Sequence, residues 1–201
     1  MSYAPRKFSV VPSESDRLTA TVASTTREEY ERMVAAGVFQ DRRVELLDGV
    51  VYEMTPQLSP HAATVMQADE VLRAILPPGF SIRSQMPLDL GGKSVPEPDL
   101  AVVPGGPRDY YAAHPSGALL VVEVADTSPS QDRKRKGPIY AKAGIQDYWI
   151  INLARGILEV YREPVDGTYK TRLILRSGDR IAPLGFPDAS IAVADLLPPP
   201  A

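Results

Sequence analysis

The stretch Pro98–Ala125, PDLAVVPGGPRDYYAAHPSGALLVVEVA, decides how the chain is to be read. Its end, ALLVVEV at Ala118–Val124, is a continuous apolar run interrupted by one acid. Such a run, rich in Val and Leu and without alternation, reads as a strand covered on both faces. Asp99–Val103, opened by Pro98, reads as a second strand, with a Pro- and Gly-bearing connection between the two. Each strand carries a carboxylate, Asp99 at the start of one and Glu123 inside the other. Strand interiors disfavour carboxylates, and an unpaired buried charge costs several kcal/mol, so these acids need partners. The ordinary alternative is a strand end facing water, and it is weakest for Glu123, whose neighbours are all apolar. If the strands pair, the two acids converge at one sheet edge. A cation that prefers oxygen ligands, Mg²⁺, would suit them there.

Working outward toward the N-terminus, Thr25 or Thr26 caps a helix with Glu28 and Glu29 in its first turn, and Gly37 ends it. Arg43–Leu47 and Val50–Met54 flank Asp48-Gly49, the strongest short hairpin signal, and place a third strand acid at Glu45. Ser59-Pro60 opens a helix to about Leu76, with His61, Val65, Ala68, Leu72 and Ile75 on one face. Strands are expected at Phe80–Ser84 and Pro87–Leu90. On the C-terminal side, Ser128–Gly144 is helical in part, kinked at Pro138 or starting near Gly137. Strands follow at Tyr148–Asn152, Ile157–Tyr161 and Tyr169–Leu175, and a short helix near Val193–Leu197 closes the chain. This order predicts an α+β domain: a mixed central β-sheet carrying Glu45, Asp99 and Glu123 toward one cleft and flanked by helices, with an extra β-hairpin region. Residues 1–24 read as a mobile leader, 25–197 as one domain and 198–201 as a tail.

Composition sets the limits. The 201 residues carry a net charge of −3, with 44% apolar and 23% charged residues, which excludes a largely disordered chain. There is no cysteine, so disulfides, thiolate zinc sites and a Cys nucleophile are excluded. No apolar run is long enough for a membrane span, and MSYAPRKFSV has no signal-peptide core, so a cytoplasmic address is expected. The acidic balance argues weakly against obligate nucleic-acid binding. Locally, however, Ser128–Gly144 holds five basic residues and one acid, 5 − 1 = +4, a patch able to face a phosphate backbone.

Five ordered blocks carry a resemblance: VELLDGVVYEMTP, the helix opened by Ser59-Pro60-His61, PEPDLAVV, VVEVADTS with Asp132 and Lys136, and YAKAGIQDYWIIN. Together they resemble the Uma family of restriction-endonuclease-type proteins within the PD-(D/E)XK nuclease superfamily, over about residues 40–195. The resemblance implies a restriction-endonuclease-like fold and a Mg²⁺-dependent endonuclease, with Mn²⁺ a possible substitute. Such an enzyme hydrolyses DNA phosphodiester bonds by metal-activated water. It also implies the site residues. Asp99 and Glu123 match the superfamily's metal ligands, joined by the Val124 carbonyl, and Glu45 matches the acid of the N-terminal element. Ala125 stands where the superfamily has its lysine, and Lys136 on the following segment matches the residue that takes over. A homodimer is expected, since duplex cleavage needs two cuts, with Tyr148–Ile151 and the later hairpin as candidate contact surface.

Other residues admit quieter readings. His61 either contacts a phosphate or a metal water, or serves the helix start. Gln85 is a candidate for the cleft of Asp99, and Tyr140 for packing under Lys136. His114 reads as an exposed loop residue. Two other functions stay open on the same fold. One is a non-catalytic DNA-binding or protein-interaction module; the other is a metal-dependent hydrolase acting on RNA or small phosphoesters.

Overall fold

The structure is a computed structural model that describes residues 24–40, 42–126 and 132–199. Residues 1–23 of the expected leader, the first four residues of the Ser128–Gly144 segment and the last two residues of the tail lie outside these. Helix α1 (Arg27–Ala35) starts on a complete capping box. Thr26 Oγ1 accepts from the Glu29 N–H, and the Glu29 carboxylate accepts from the Thr26 N–H. Strands β1 (Val44–Leu47) and β2 (Val50–Glu53) form the expected hairpin around Asp48-Gly49. Both turn residues have positive φ, 51° and 82°, as a tight two-residue turn requires.

Helix α2 (Ser59–Ile75) begins one residue earlier than expected: Leu58 is the extended N-cap and makes no side-chain cap bond, so Ser59 is already helical. Its Val65, Ala68 and Leu72 are buried. Six strands then build one sheet in the order β3-β4-β5-β6-β7-β8: β3 (Phe80–Ser84), β4 (Leu100–Pro104), β5 (Leu120–Ala125), β6 (Asp147–Asn152), β7 (Ile157–Val165) and β8 (Thr168–Leu175). Only β5 and β6 run parallel, and their connection passes through a π-helical turn (Asp132–Lys136) and helix α3 (Gly137–Lys142). The chain is therefore α+β with a mixed central sheet. α2 covers one face of it through Val65, Ala68 and Leu72, which pack with Val102, Val122, Trp149 and Leu158. Tyr140 of α3, with Ile145 and Tyr148, lies among Ala101, Val121 and Ile150 on the other face. A smaller cluster of Tyr30, Val44, Leu46 and Val95 seats α1 and the hairpin.

Three expectations need correcting, and two strands were not foreseen. Pro87–Leu90 is not a strand: its N–H groups reach two different partners, Pro96 O from Leu88 and Pro115 O from Asp89, and Pro87 has none to give. Glu45 is not on the central sheet. Its hairpin is a separate two-stranded sheet, tied to the rest near the site by the Leu46–Val95 bridge. The closing helix shrinks to one 3₁₀ turn (Val193–Asp195), because the prolines from Pro198 leave no room for α-helical bonds. Two short strands, β9 (Arg180–Ile181) and β10 (Ile191–Ala192), had no signal beyond their length of two residues.

Candidate active site

Sheet register brings the two strand acids together. In the antiparallel β4–β5 ladder Leu100 pairs with Val122 and Ala101 with Val121, so the same register carried one residue past the end of β4 puts Asp99 level with Glu123. The Val124 N–H donates to Asp99 Oδ2 at 2.8 Å, fixing the carboxylate against the end of β5. Gln85 continues the row on the other side: its N–H donates to the Asp99 carbonyl at 3.0 Å and its amide to Asp99 Oδ1 at 3.4 Å. To do this Gln85 adopts a φ of 53°, uncommon for a non-glycine residue and frequent at functional sites. His61, in the first turn of α2, places Nε2 3.2 Å from Asp99 Oδ2. Its interaction with Asp99 raises the imidazole pKa against the opposing effect of burial. Its Nδ1 is buried with no partner among the described residues.

Lys136 joins the hairpin to the sheet. Its ammonium lies 3.1 Å from Glu123 Oε1 and 3.3 Å from Glu45 Oε2, and its side chain is only 11% exposed. Burial alone would lower its pKa, but the Glu123 and Glu45 carboxylates overcome this and raise it, so Lys136 stays charged. Glu123, 3% exposed, also accepts from the Tyr140 hydroxyl at 2.7 Å. Burial pushes its carboxyl well above the usual range; Lys136 opposes the shift, while Asp99, Asp132 and Glu45 add to it. Glu45 Oε2 is further held by the Glu97 N–H at 3.1 Å. Asp132, at the head of the π turn, is pushed up to about 6 by burial and by the Asp99 and Glu45 charges, against Lys136.

Glu45, Glu123 and Lys136 thus meet directly, with Asp99 adjoining them through Val124 and the register. His61 and Gln85 both reach Asp99. Tyr140 does more than pack under Lys136, since it fixes a Glu123 oxygen. His114 is exposed, as expected, and accepts from Arg83. The basic run departs from its expected form. Lys136 is turned inward, Arg133 is bonded to buried Glu159, and Arg135 stacks on Tyr52 at 4.1 Å. The +4 of Ser128–Gly144 is therefore not one surface patch. Sequence reasoning missed Glu159, fully buried on β7; a lone acid in ILEVY was its only signal.

Among the described residues no three acidic or histidine side chains are gathered into a ready-made metal cluster. Glu123 turns to Lys136 and Tyr140 while Asp99 turns to Val124 and His61. The donor set nevertheless fits a hard cation in kind. Asp99, Glu123, Glu45 and the Val124 carbonyl offer only oxygen, and Glu123 Oε2 and Glu45 Oε1 have no hydrogen-bond partner among the described residues.

A six-stranded mixed sheet flanked by helices, with the lysine after β5 reaching back to Glu123, is a restriction-endonuclease-like fold. A crystal structure of "a putative nuclease belonging to DUF820" from Anabaena variabilis has the same fold. The TM-score is 0.62 at 15% identity, over 78% of this chain and 90% of that one. Residues 27–194 match the Uma2 family, described as "Putative restriction endonuclease", and the chain belongs to that family. No curated protein sequence matches it.

Proposed function

We propose that the chain is a Mg²⁺-dependent endonuclease that hydrolyses DNA phosphodiester bonds. The observation that carries this reading is the buried Lys136 ammonium between Glu123 and Glu45, beside the register that sets Asp99 against Glu123. Asp99, Glu123 and the Val124 carbonyl would hold the cation, Mg²⁺ or Mn²⁺, with Glu45 at the margin through its second oxygen. Such a cation supplies Lewis-acid polarisation of the phosphoryl group and offsets the charge that develops there. The protein's own groups do the rest. Lys136 presents a fixed positive charge to the attacking water and the phosphate oxygens, already oriented by two carboxylates. Tyr140 holds Glu123 in place; Gln85 and the Val124 N–H do the same for Asp99. The His61 imidazole, 3.2 Å from Asp99, would contact the phosphate.

DNA is the proposed substrate and partner, and the cytoplasm the proposed location. Among the described residues no helix is long and apolar enough to cross a membrane. A homodimer would bring two such sites to the two strands of a duplex. Tyr148–Ile151 cannot supply its contact surface, because all four residues are fully buried in the sheet. The β7–β8 hairpin, with Leu173 and Ile174 exposed, is left as the candidate. Cleavage of plasmid, single-stranded DNA and RNA, with Mg²⁺, with Mn²⁺ and with EDTA, tests the reading. Nicking or linearising of plasmid that EDTA and Asp99→Asn both abolish is the expected result. RNA cleavage alone would move the substrate class, and no cleavage in any arm would reject the activity.

A further inference from the structure

We propose that Glu159 is a positioning residue for Lys136, acting through Arg133. Three strands place two acids in one row on one sheet face: Glu123 is level with Ile150 in the parallel β5–β6 pair, and Ile150 with Glu159 in the β6–β7 pair. Two strand spacings, about 9–10 Å, separate them. The π turn Asp132–Lys136 lies across this row, with one cation on each acid: Lys136 on Glu123 and, three residues earlier, Arg133 on Glu159. The Arg133 fork is bidentate, Nε to Glu159 Oε2 at 2.8 Å and Nη2 to Oε1, which fixes direction as well as distance.

Glu159 is an immobile anchor for that fork. It is fully buried and also accepts from Asn152 at 3.0 Å, Tyr161 at 2.8 Å and Arg172 at 2.8 Å. These donors outweigh burial and hold its carboxyl down at about 2. Two further contacts keep the turn in its wide form. The Tyr148 hydroxyl donates to the Asp132 carbonyl at 3.3 Å, and Gly137 lets that carbonyl approach, since a Cβ there would meet it at 3.3 Å. A turn pinned at Arg133 has little freedom to move Lys136 away from Glu123 and Glu45. An unpinned π turn can relax toward α-helical bonding and rotate the lysine out.

The test compares two variants that remove one guanidinium each from the same carboxylate. Arg133→Met takes away the turn's anchor while leaving Glu159 its bonds to Arg172, Asn152 and Tyr161. Arg172→Met takes away the β8 partner and leaves the turn pinned. Steady-state plasmid cleavage with Mg²⁺ gives kcat and KM. Acetylation of the metal-free protein with an N-hydroxysuccinimide ester, mapped by mass spectrometry, reports whether Lys136 is protected. Arg133→Met should lower kcat on the order of 100-fold at unchanged KM, the scale of a catalytic group displaced by about 1 Å. It should also render Lys136 reactive. Arg133→Lys should not rescue either property, because an ammonium cannot reproduce the fork. Arg172→Met should keep wild-type kcat and Lys136 protection. Equal behaviour of the Arg133→Met and Arg172→Met variants would overturn the proposal, and so would a change confined to KM, which would make Arg133 a nucleic-acid contact. Rescue by Arg133→Lys would count against it as well. Where cleavage is the readout the proposal rests on the nuclease reading. If the wild type does not cut, that reading fails and Lys136 protection decides this one alone.

Discussion

Replacing Lys136 with Met removes the only cation bonded to both Glu45 and Glu123 among the described residues, at 3.3 and 3.1 Å. At an effective dielectric constant of about 20, each of those contacts is worth roughly 5 kcal/mol of Coulomb energy. Desolvation of the three groups cancels much of the sum, and breaking a buried pair by deleting one partner typically costs about 3–5 kcal/mol. Protonation limits the loss here. Glu123 already sits well above the ordinary carboxylate range through burial, and losing Lys136 removes the main influence holding it down. A carboxyl whose folded-state pKa exceeds its unfolded value favours the fold while protonated, and that contribution is lost as pH rises through the folded value. The deficit of Lys136→Met should therefore grow with pH, from about 1 kcal/mol near pH 5 to about 3–5 kcal/mol near pH 8.5. Urea unfolding in EDTA at pH 5, 7 and 8.5 measures it. At pH 8.5 the thermal midpoint should drop on the order of 10 °C. Adding Glu123→Gln should recover most of the loss at high pH, since the two sites are directly coupled. Mg²⁺ should raise the midpoint of Lys136→Met more than that of the wild type, because a cation then has no ammonium to compete with. A pH-independent deficit, or one below 1 kcal/mol throughout, would refute the reasoning.

Asp99→Asn should abolish cleavage and the stabilisation by Mg²⁺ seen in thermal melts, while leaving the metal-free protein folded. Asp132 contributes a pH dependence of its own. Its folded-state value of about 6 lies above the ordinary 3.8, so its contribution is present below pH 4 and lost as pH rises to about 6. Asp132→Asn should flatten the unfolding free energy over that window, removing a slope worth up to about 3 kcal/mol. At the hairpin turn, Gly49→Ala forces φ of 82° on a residue with a Cβ and drives that Cβ into Ser24. A loss of roughly 1–2 kcal/mol is expected by chemical denaturation, with reduced activity because Glu45 rides on that hairpin. Light scattering at tens of micromolar protein checks the homodimer, and a monomer mass would remove it.

The local elements were legible wherever a short-range rule was decisive. Thr26 with Glu29, Asp48-Gly49 and the run Ala118–Val124 each carry their own signal, because capping, turn geometry and burial on two faces act within a few residues. The candidate site residues were legible for a related reason. An acid such as Glu123 amid Val and Leu conflicts with its surroundings, and that conflict is visible in one dimension. Pro87–Leu90 misled because its apolar content resembles a strand, whereas only its partners, Pro96 and Pro115, reveal a loop.

What the sequence by itself determined was therefore the α+β class, most of the local elements, and the conflict that marks Asp99 and Glu123 as candidate site acids. The tertiary structure alone decided how they meet. Register set Asp99 against Glu123, and a bridge at Leu46–Val95 brought Glu45 in from a separate sheet. The same structure turned two of the five bases of the apparent basic patch inward, Arg133 to Glu159 and Lys136 to Glu123. Charge in a sequence carries no direction. A side chain is aimed by the pleat of its strand and the pitch of its turn, and its charge persists in the interior only where a partner from a distant strand satisfies it.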